Sequence, residues 1–138
     1  MASRPAYYTT TLDAGSTMAR LLIADDDIDY CVAFKTGMSA LGHDVDFVHS
    51  GAEAVAKLND APTHYDVIFL DVLMSNGGGA STLHAIRNFS DDLPVVVITG
   101  RSEILDSPIF SNGLRQAQKR MSKSSKLSAL HEAVTELV

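Results

Sequence analysis

Five short apolar runs alternate along the chain with segments in which apolar residues recur every three or four positions. An unbroken run of β-forming residues predicts a strand covered on both faces, and the 3.6-residue period predicts an amphipathic helix. The first run, Arg20–Ala24, ends in Asp25, Asp26 and Asp27. A helix is expected over about Ile28–Leu41, with Cys31, Phe34, Met38 and Leu41 at helical spacing and Gly42 placed to end it. Val45–Val48 is the second strand. Ser50 followed by Glu53 has the spacing of a capping box and opens a helix running through Leu58, with Val55 and Leu58 toward the sheet. Val67–Leu70 is the third strand, closed by Asp71 and followed by a loop that Gly77, Gly78 and Gly79 make flexible. Leu83 and Ile86 place a third helix over about Ala80–Asn88.

Leu93–Thr99 is the most β-branched run in the chain, and it ends in Thr99-Gly100. The stretch Arg101–Ser111 is the least regular. Pro108 disfavours helix at Ser107, so a fourth helix is expected to start there. It runs to about Ala117 on Phe110, Leu114 and Ala117, weakened by Gly113. Lys119–Lys123 is a weak fifth strand with Met121 as its apolar residue. Ser125 opens the last helix, with Leu127, Leu130, Val134 and Leu137 on one stripe. A strand–helix order repeated five times with short connections implies an α/β fold, a parallel sheet with helices on both faces. Residues 1–17 are polar and lack periodicity; they are expected to be a flexible tail outside the domain, which spans 18–138, with Met18 a sensible natural start.

Composition narrows the function classes. At 138 residues, with 46% hydrophobic and 20% charged residues, the chain is one ordinary globular domain. A net charge of −6 argues against non-specific nucleic-acid binding, which needs many phosphate-neutralising cations. A single cysteine, Cys31, excludes an internal disulfide and a zinc-binding cysteine cluster, and suits a reducing cytoplasm. No apolar stretch approaches the length of a membrane span, so no membrane insertion is expected.

A parallel sheet brings its strand C-termini to one edge, where open α/β sheets bind their ligands. Asp25 and Asp26 arrive there on strand one, Asp71 on strand three, Thr99 on strand four and Lys123 on strand five. Three carboxylates crowded together repel one another unless a cation joins them. Oxygen donors of this kind suit Mg²⁺, which takes one or two carboxylates, waters and a phosphate oxygen. Carboxylate nucleophile, divalent metal, hydroxyl and ammonium together make an aspartyl-phosphate site.

Leu22–Asp27, Tyr65–Asp71, Leu93–Gly100 and Ser122-Lys123, in this order and each at a strand end, make the chain from about residue 19 to 138 resemble the receiver domains of two-component response regulators. The resemblance implies a flavodoxin-like five-stranded sheet of order 2-1-3-4-5. It implies that Asp71 accepts a phosphoryl group from a phosphohistidine on a sensor histidine kinase or phosphotransfer protein. It further implies that Asp26, Asp71 and the backbone carbonyl of Leu73 bind Mg²⁺ directly while Asp25 helps through water. Thr99 would follow the phosphoryl group and Lys123 would pair with it, biasing a surface made by helix four, strand five and helix five.

Three positions depart from the family pattern. Ser75 stands where a proline is usual after the acceptor, which loosens that loop. Ser124 replaces the proline after the lysine, so a trans Lys123–Ser124 bond is expected, a cis bond there costing about 2.5–4 kcal/mol. Arg120 replaces the aromatic that in relatives swings inward with the threonine, which puts the Thr99–aromatic switch in question. Arg115, Lys119, Arg120, Lys123 and Lys126 also cluster in sequence, either as a solvated face or as a docking face for an acidic partner.

The five histidines lack metal-ligand spacing and are expected to be structural or solvent-facing, Cys31 to be core, and the glycine run lacks the Gly-Lys-Ser/Thr of a P-loop. A phosphatase of the haloacid-dehalogenase type needs a second acid two residues after the nucleophile, where Leu73 stands. The expectation is therefore a stand-alone receiver, not an enzyme beyond its own phosphoryl transfer and dephosphorylation. It would be cytoplasmic, a monomer or weak dimer, acting on an unknown downstream protein with no nucleic-acid partner. The alternative is a degenerate receiver that keeps the fold as a phosphorylation-independent docking module.

Overall fold

The computed structural model describes residues 18–60, 64–74 and 78–138. The tail 1–17 and Ser75 therefore lie outside the described residues. Five strands, β1 (Arg20–Ala24), β2 (Asp44–Val48), β3 (Val67–Asp71), β4 (Val95–Thr99) and β5 (Lys119–Ser122), form one sheet in the order β2-β1-β3-β4-β5. Every pairing is parallel. Five α-helices connect or follow them: α1 (Ile28–Ala40), α2 (Gly51–Asn59), α3 (Gly79–Arg87), α4 (Pro108–Gly113) and α5 (Leu127–Leu137). A 3-10 turn, Ser102–Asp106, precedes α4. The α/β class and the strand order match the expectation, and each strand lies within two residues of its sequence-read bounds.

Alternation along the strands divides the core into two layers. Leu21, Ile23, Val45, Val67, Phe69, Val96 and Ile98 meet Cys31, Phe34 and Met38 of α1 and Leu130 and Val134 of α5. Leu22, Ala24, Ile68, Leu70, Val95 and Val97 meet Ala54 of α2, Leu83 and Ile86 of α3, and Leu114. β3 and β4 are buried at every position, as central strands covered on both faces must be. The ring of Phe34 lies 4.8 Å from that of Phe69, fixing α1 against the middle of the sheet.

Helix ends follow local chemistry. Gly42 takes a φ of 99°, and the N–H groups of His43 and Gly42 donate to the carbonyls of Met38 and Ser39, a Schellman ending for α1. Ser50 Oγ accepts from the Glu53 N–H at 3.1 Å, while the Glu53 carboxylate reaches back to the His49 N–H. The reciprocal bond thus falls one residue earlier than in the standard capping box.

Several expectations are corrected. Leu41 caps α1 and is exposed, because the chain turns away there. In α2 the buried residues are Gly51 and Ala54; Val55 is only half-buried and Leu58 packs at the margin of the core. α4 ends at Gly113 and does not reach Ala117; Leu114 is nonetheless fully buried, and the side chain of Phe110 lies outside the described residues. α5 starts after Lys126, without a side-chain cap from Ser125, and its Leu127 is partly exposed. The basic cluster is not one face: Lys119 pairs with Glu136 and Lys123 points to the carboxylates of the sheet edge.

Candidate functional site

The carboxyl edge of β1, β3 and β5 gathers the expected side chains. Asp25, Asp26 and Asp71 each present a carboxylate oxygen within 4.8 Å of the other two. Asp25 is fully buried, Asp71 is 4% exposed and Asp26 faces solvent. Lys123 Nζ sits 2.6 Å from Asp25 Oδ2 and 3.6 Å from Asp71 Oδ2. Strand parity explains this: Asp25 continues the phase of Leu21 and Ile23, Asp71 that of Val67 and Phe69, and Lys123 that of Met121, all on the α1/α5 side.

Backbone groups fix the two buried acids. Asp25 Oδ1 accepts the Asp27 N–H at 2.9 Å, and Asp71 Oδ1 accepts the Leu73 N–H at 3.3 Å. The Asp25 carbonyl is held by Cys31 Sγ and by His49 Nδ1. Among the described residues Asp25 Oδ2 accepts no well-directed hydrogen bond, and the Lys123 ammonium pairs with it at 2.6 Å. Burial, then the charge of Asp25, raise the pKa of Asp71 from 3.8 to about 7, with Lys123 and the Leu73 N–H opposing. Burial pulls the Lys123 ammonium down, but Asp25 and Asp71 outweigh it and leave it raised. The pocket therefore holds more negative charge than one lysine satisfies. An all-oxygen donor set with an under-partnered buried carboxylate fits a hard divalent cation such as Mg²⁺.

Thr99 lies on the opposite strand phase and is almost wholly buried, at 1%. Its Oγ1 accepts the Arg101 N–H at 3.0 Å, and its carbonyl accepts the Lys123 N–H at 2.8 Å, tying β4 to the end of β5. Leu73 is exposed beside the acceptor. Arg120 projects away from this centre: it is exposed and donates from Nη1 to Ser111 Oγ of α4 at 3.0 Å.

With that geometry in view, residues 21–135 match the response regulator receiver domain. The chain belongs to this family. Among relatives, it is 38% identical over 89 residues to the transcriptional regulatory protein CpxR homolog of Haemophilus influenzae, covering 64% of this chain and 37% of that protein. It is 35% identical over 95 residues to transcriptional regulatory protein PrrA of Mycobacterium leprae, covering 69% and 40%. This receiver thus spans about two fifths of the length of these curated relatives. Among solved structures, the Francisella response regulator 1452 receiver domain superposes with a TM-score of 0.74 at 28% identity, over 86% of this chain and 95% of that one. The response regulator TrrA of Thermotoga maritima, solved in complex with Mg²⁺-BeF, superposes with a TM-score of 0.76 over 86% and 98%; at 24% identity it speaks for the fold alone.

Three residues escaped the sequence reading. Asp27, to which the sequence reading gave no role, is the N-cap of α1, its Oδ1 accepting the Tyr30 N–H at 3.1 Å. Gly79 is not merely loose: a Cβ there would lie 2.7 Å from Val72 Cα and 2.9 Å from the Asp71 carbonyl oxygen. Tyr30 places its ring 4.8 Å from Lys123 Nζ. Its position one helical turn after Asp26 was the signal that would have found it.

Proposed function

We propose that this receiver accepts a phosphoryl group on Asp71 from a phosphohistidine donor, in a reaction that depends on a divalent cation, and signals through protein contacts. The observation that carries this reading is the Lys123 ammonium set against the buried carboxylates of Asp25 and Asp71, with Asp26 alongside. Asp26, Asp71 and the Leu73 carbonyl, with Asp25 behind them, would hold Mg²⁺, which neutralises the carboxylates and the incoming phosphoryl oxygens. An Asp71 carboxylate oxygen attacks phosphorus as the P–N bond of the donor breaks, and the leaving imidazole takes up a proton. Lys123 pairs with a phosphoryl oxygen, and Thr99 donates its hydroxyl once released from Arg101. The donor would be a sensor histidine kinase or phosphotransfer protein, and the setting cytoplasmic. Among the described residues no helix is long and apolar enough to cross a membrane.

Intact mass after incubation with acetyl phosphate and Mg²⁺ tests this. A single phosphoryl increment is expected in the wild type, absent in Asp71→Ala and in wild type treated with chelator. An unmodified wild type that also binds no Mg²⁺ would favour the second reading, a docking module indifferent to phosphate. The bond from Arg120 to Ser111 supports that reading, since it occupies outside the core the residue that would otherwise follow Thr99.

A further inference from the structure

Tyr30 stands in the first turn of α1, its backbone held by the Asp27 cap. The ring is half-buried against the α1/α5 core layer and lies 6.4 Å from that of Phe34. The Lys123 ammonium lies over the same ring, 4.8 Å from its centroid, inside the range in which a cation is drawn to an aromatic face. The ammonium therefore has a third partner beyond Asp25 and Asp71. The phenol oxygen, by contrast, is buried and makes no hydrogen bond among the described residues. The ring's contacts are thus the aromatic neighbour and the cation, rather than a hydrogen bond from the hydroxyl.

We propose that Tyr30 is a positioning residue of the phosphoacceptor site, its ring seating the Lys123 ammonium between the carboxylates where a phosphoryl oxygen must be met. This rests on the reading that Asp71 is phosphorylated. The lysine reaches the site from the end of β5 on a flexible stem with 15% of its side chain exposed, and such a stem gives little orientation of its own. The carboxylates attract its charge without fixing its direction; the ring closes the side from which water would otherwise solvate the ammonium. A leucine in its place would fill apolar space but present no negative face to the cation.

Three readouts test the proposal. In the wild type, NMR should find the Lys123 ε-methylene protons shifted upfield by the ring current; Tyr30→Phe should keep that shift and Tyr30→Leu should lose it. Phosphorylation by acetyl phosphate and Mg²⁺ should slow about five- to tenfold in Tyr30→Leu, the size of a partly desolvated cation–π contact, and be rescued in Tyr30→Phe. In a Lys123→Met background the same leucine substitution should have no further effect, because a residue that acts through Lys123 loses its role when the lysine is gone. An unshifted Lys123 resonance in the wild type would overturn the proposal even if Tyr30→Leu failed to fold. So would a Tyr30→Phe variant as slow as Tyr30→Leu, or equal slowing by the leucine with and without Lys123. A wild type that takes no phosphoryl group would instead defeat the underlying reading, and the resonance shift would still decide where the ammonium sits.

Discussion

Asp71 carries a charge that its surroundings disfavour. Burial and the neighbouring Asp25 charge raise its folded pKa from 3.8 to about 7, so the unfolded chain gives up this proton first as pH rises. The stability it contributes is complete below pH 4 and is lost as pH rises through 7. Asparagine has the same shape and no charge, and Lys123 keeps Asp25 as its partner at 2.6 Å. Without divalent cations, Asp71→Asn is therefore expected to exceed the wild type in stability at pH 8, by on the order of 3 kcal/mol, with the gap closing by pH 4. Added Mg²⁺ should narrow the gap at pH 8 by stabilising the wild type selectively. Urea denaturation of both proteins at the two pH values, with and without Mg²⁺, measures this; a wild type at least as stable as the variant at pH 8 without metal would sink it.

At the scale of elements, the start of α3 is set by how closely it passes the end of β3. The Gly79 N–H donates to the Val72 carbonyl at 2.9 Å, leaving no room for a Cβ against backbone atoms that cannot yield. Gly78, one residue earlier, has an ordinary φ of −70° and its nearest neighbour to an added Cβ is at 3.5 Å. Gly79→Ala is accordingly expected to cost about 1–3 kcal/mol of overpacking and Gly78→Ala to be nearly neutral, read from the two denaturation midpoints. Equal effects would show that the loop, not the close approach, governs the site. This difference was not legible in the sequence, where three consecutive glycines read alike as flexibility. Helix signals with their own local chemistry were legible: Gly42 ends α1 and Ser50 opens α2 as read. Asp27 was given no role in the sequence reading, although an aspartate just before a helical period is a capping signal. The short α4 was misjudged because Leu114 is buried by tertiary packing after the helix has ended, which periodicity cannot distinguish from a helical stripe.

For the molecule as a whole, the parallel sheet was legible because five apolar runs alternating with helical periods leave it as nearly the sole solution, and a parallel sheet collects its strand ends; the strand order came from the resemblance. Contacts between helices were not, since no local pattern announces them. His43 and His131 illustrate this: 88 residues apart, they meet at 2.8 Å between His43 Nε2 and His131 Nδ1 and join the α1–β2 corner to α5. His43 Nδ1 accepts the Ala19 N–H at 3.1 Å, so its hydrogen belongs on Nε2, where it donates to His131. A second proton on His43 would face a backbone N–H, and burial, aided by His131, lowers its pKa from 6.5 to about 4. Above pH 6.5 folded and unfolded chains hold this group alike. Below it the unfolded chain takes up a proton that the folded chain refuses, so stability falls by about 1.4 kcal/mol per pH unit until about pH 4. Other groups titrate in the same window, so the difference between wild type and His43→Gln isolates the effect: the amide can donate to His131 and does not ionise. Urea unfolding at pH 7, 6 and 5 should give a shallower loss for the variant, with hydrogen exchange in α5 rising earlier in the wild type as acid loosens the joint. Parallel slopes for the two proteins would mean that the histidine pair bears no part of the acid sensitivity, and that α5 is held by its other contacts, Leu130 and Val134 in the core and Glu136 with Lys119.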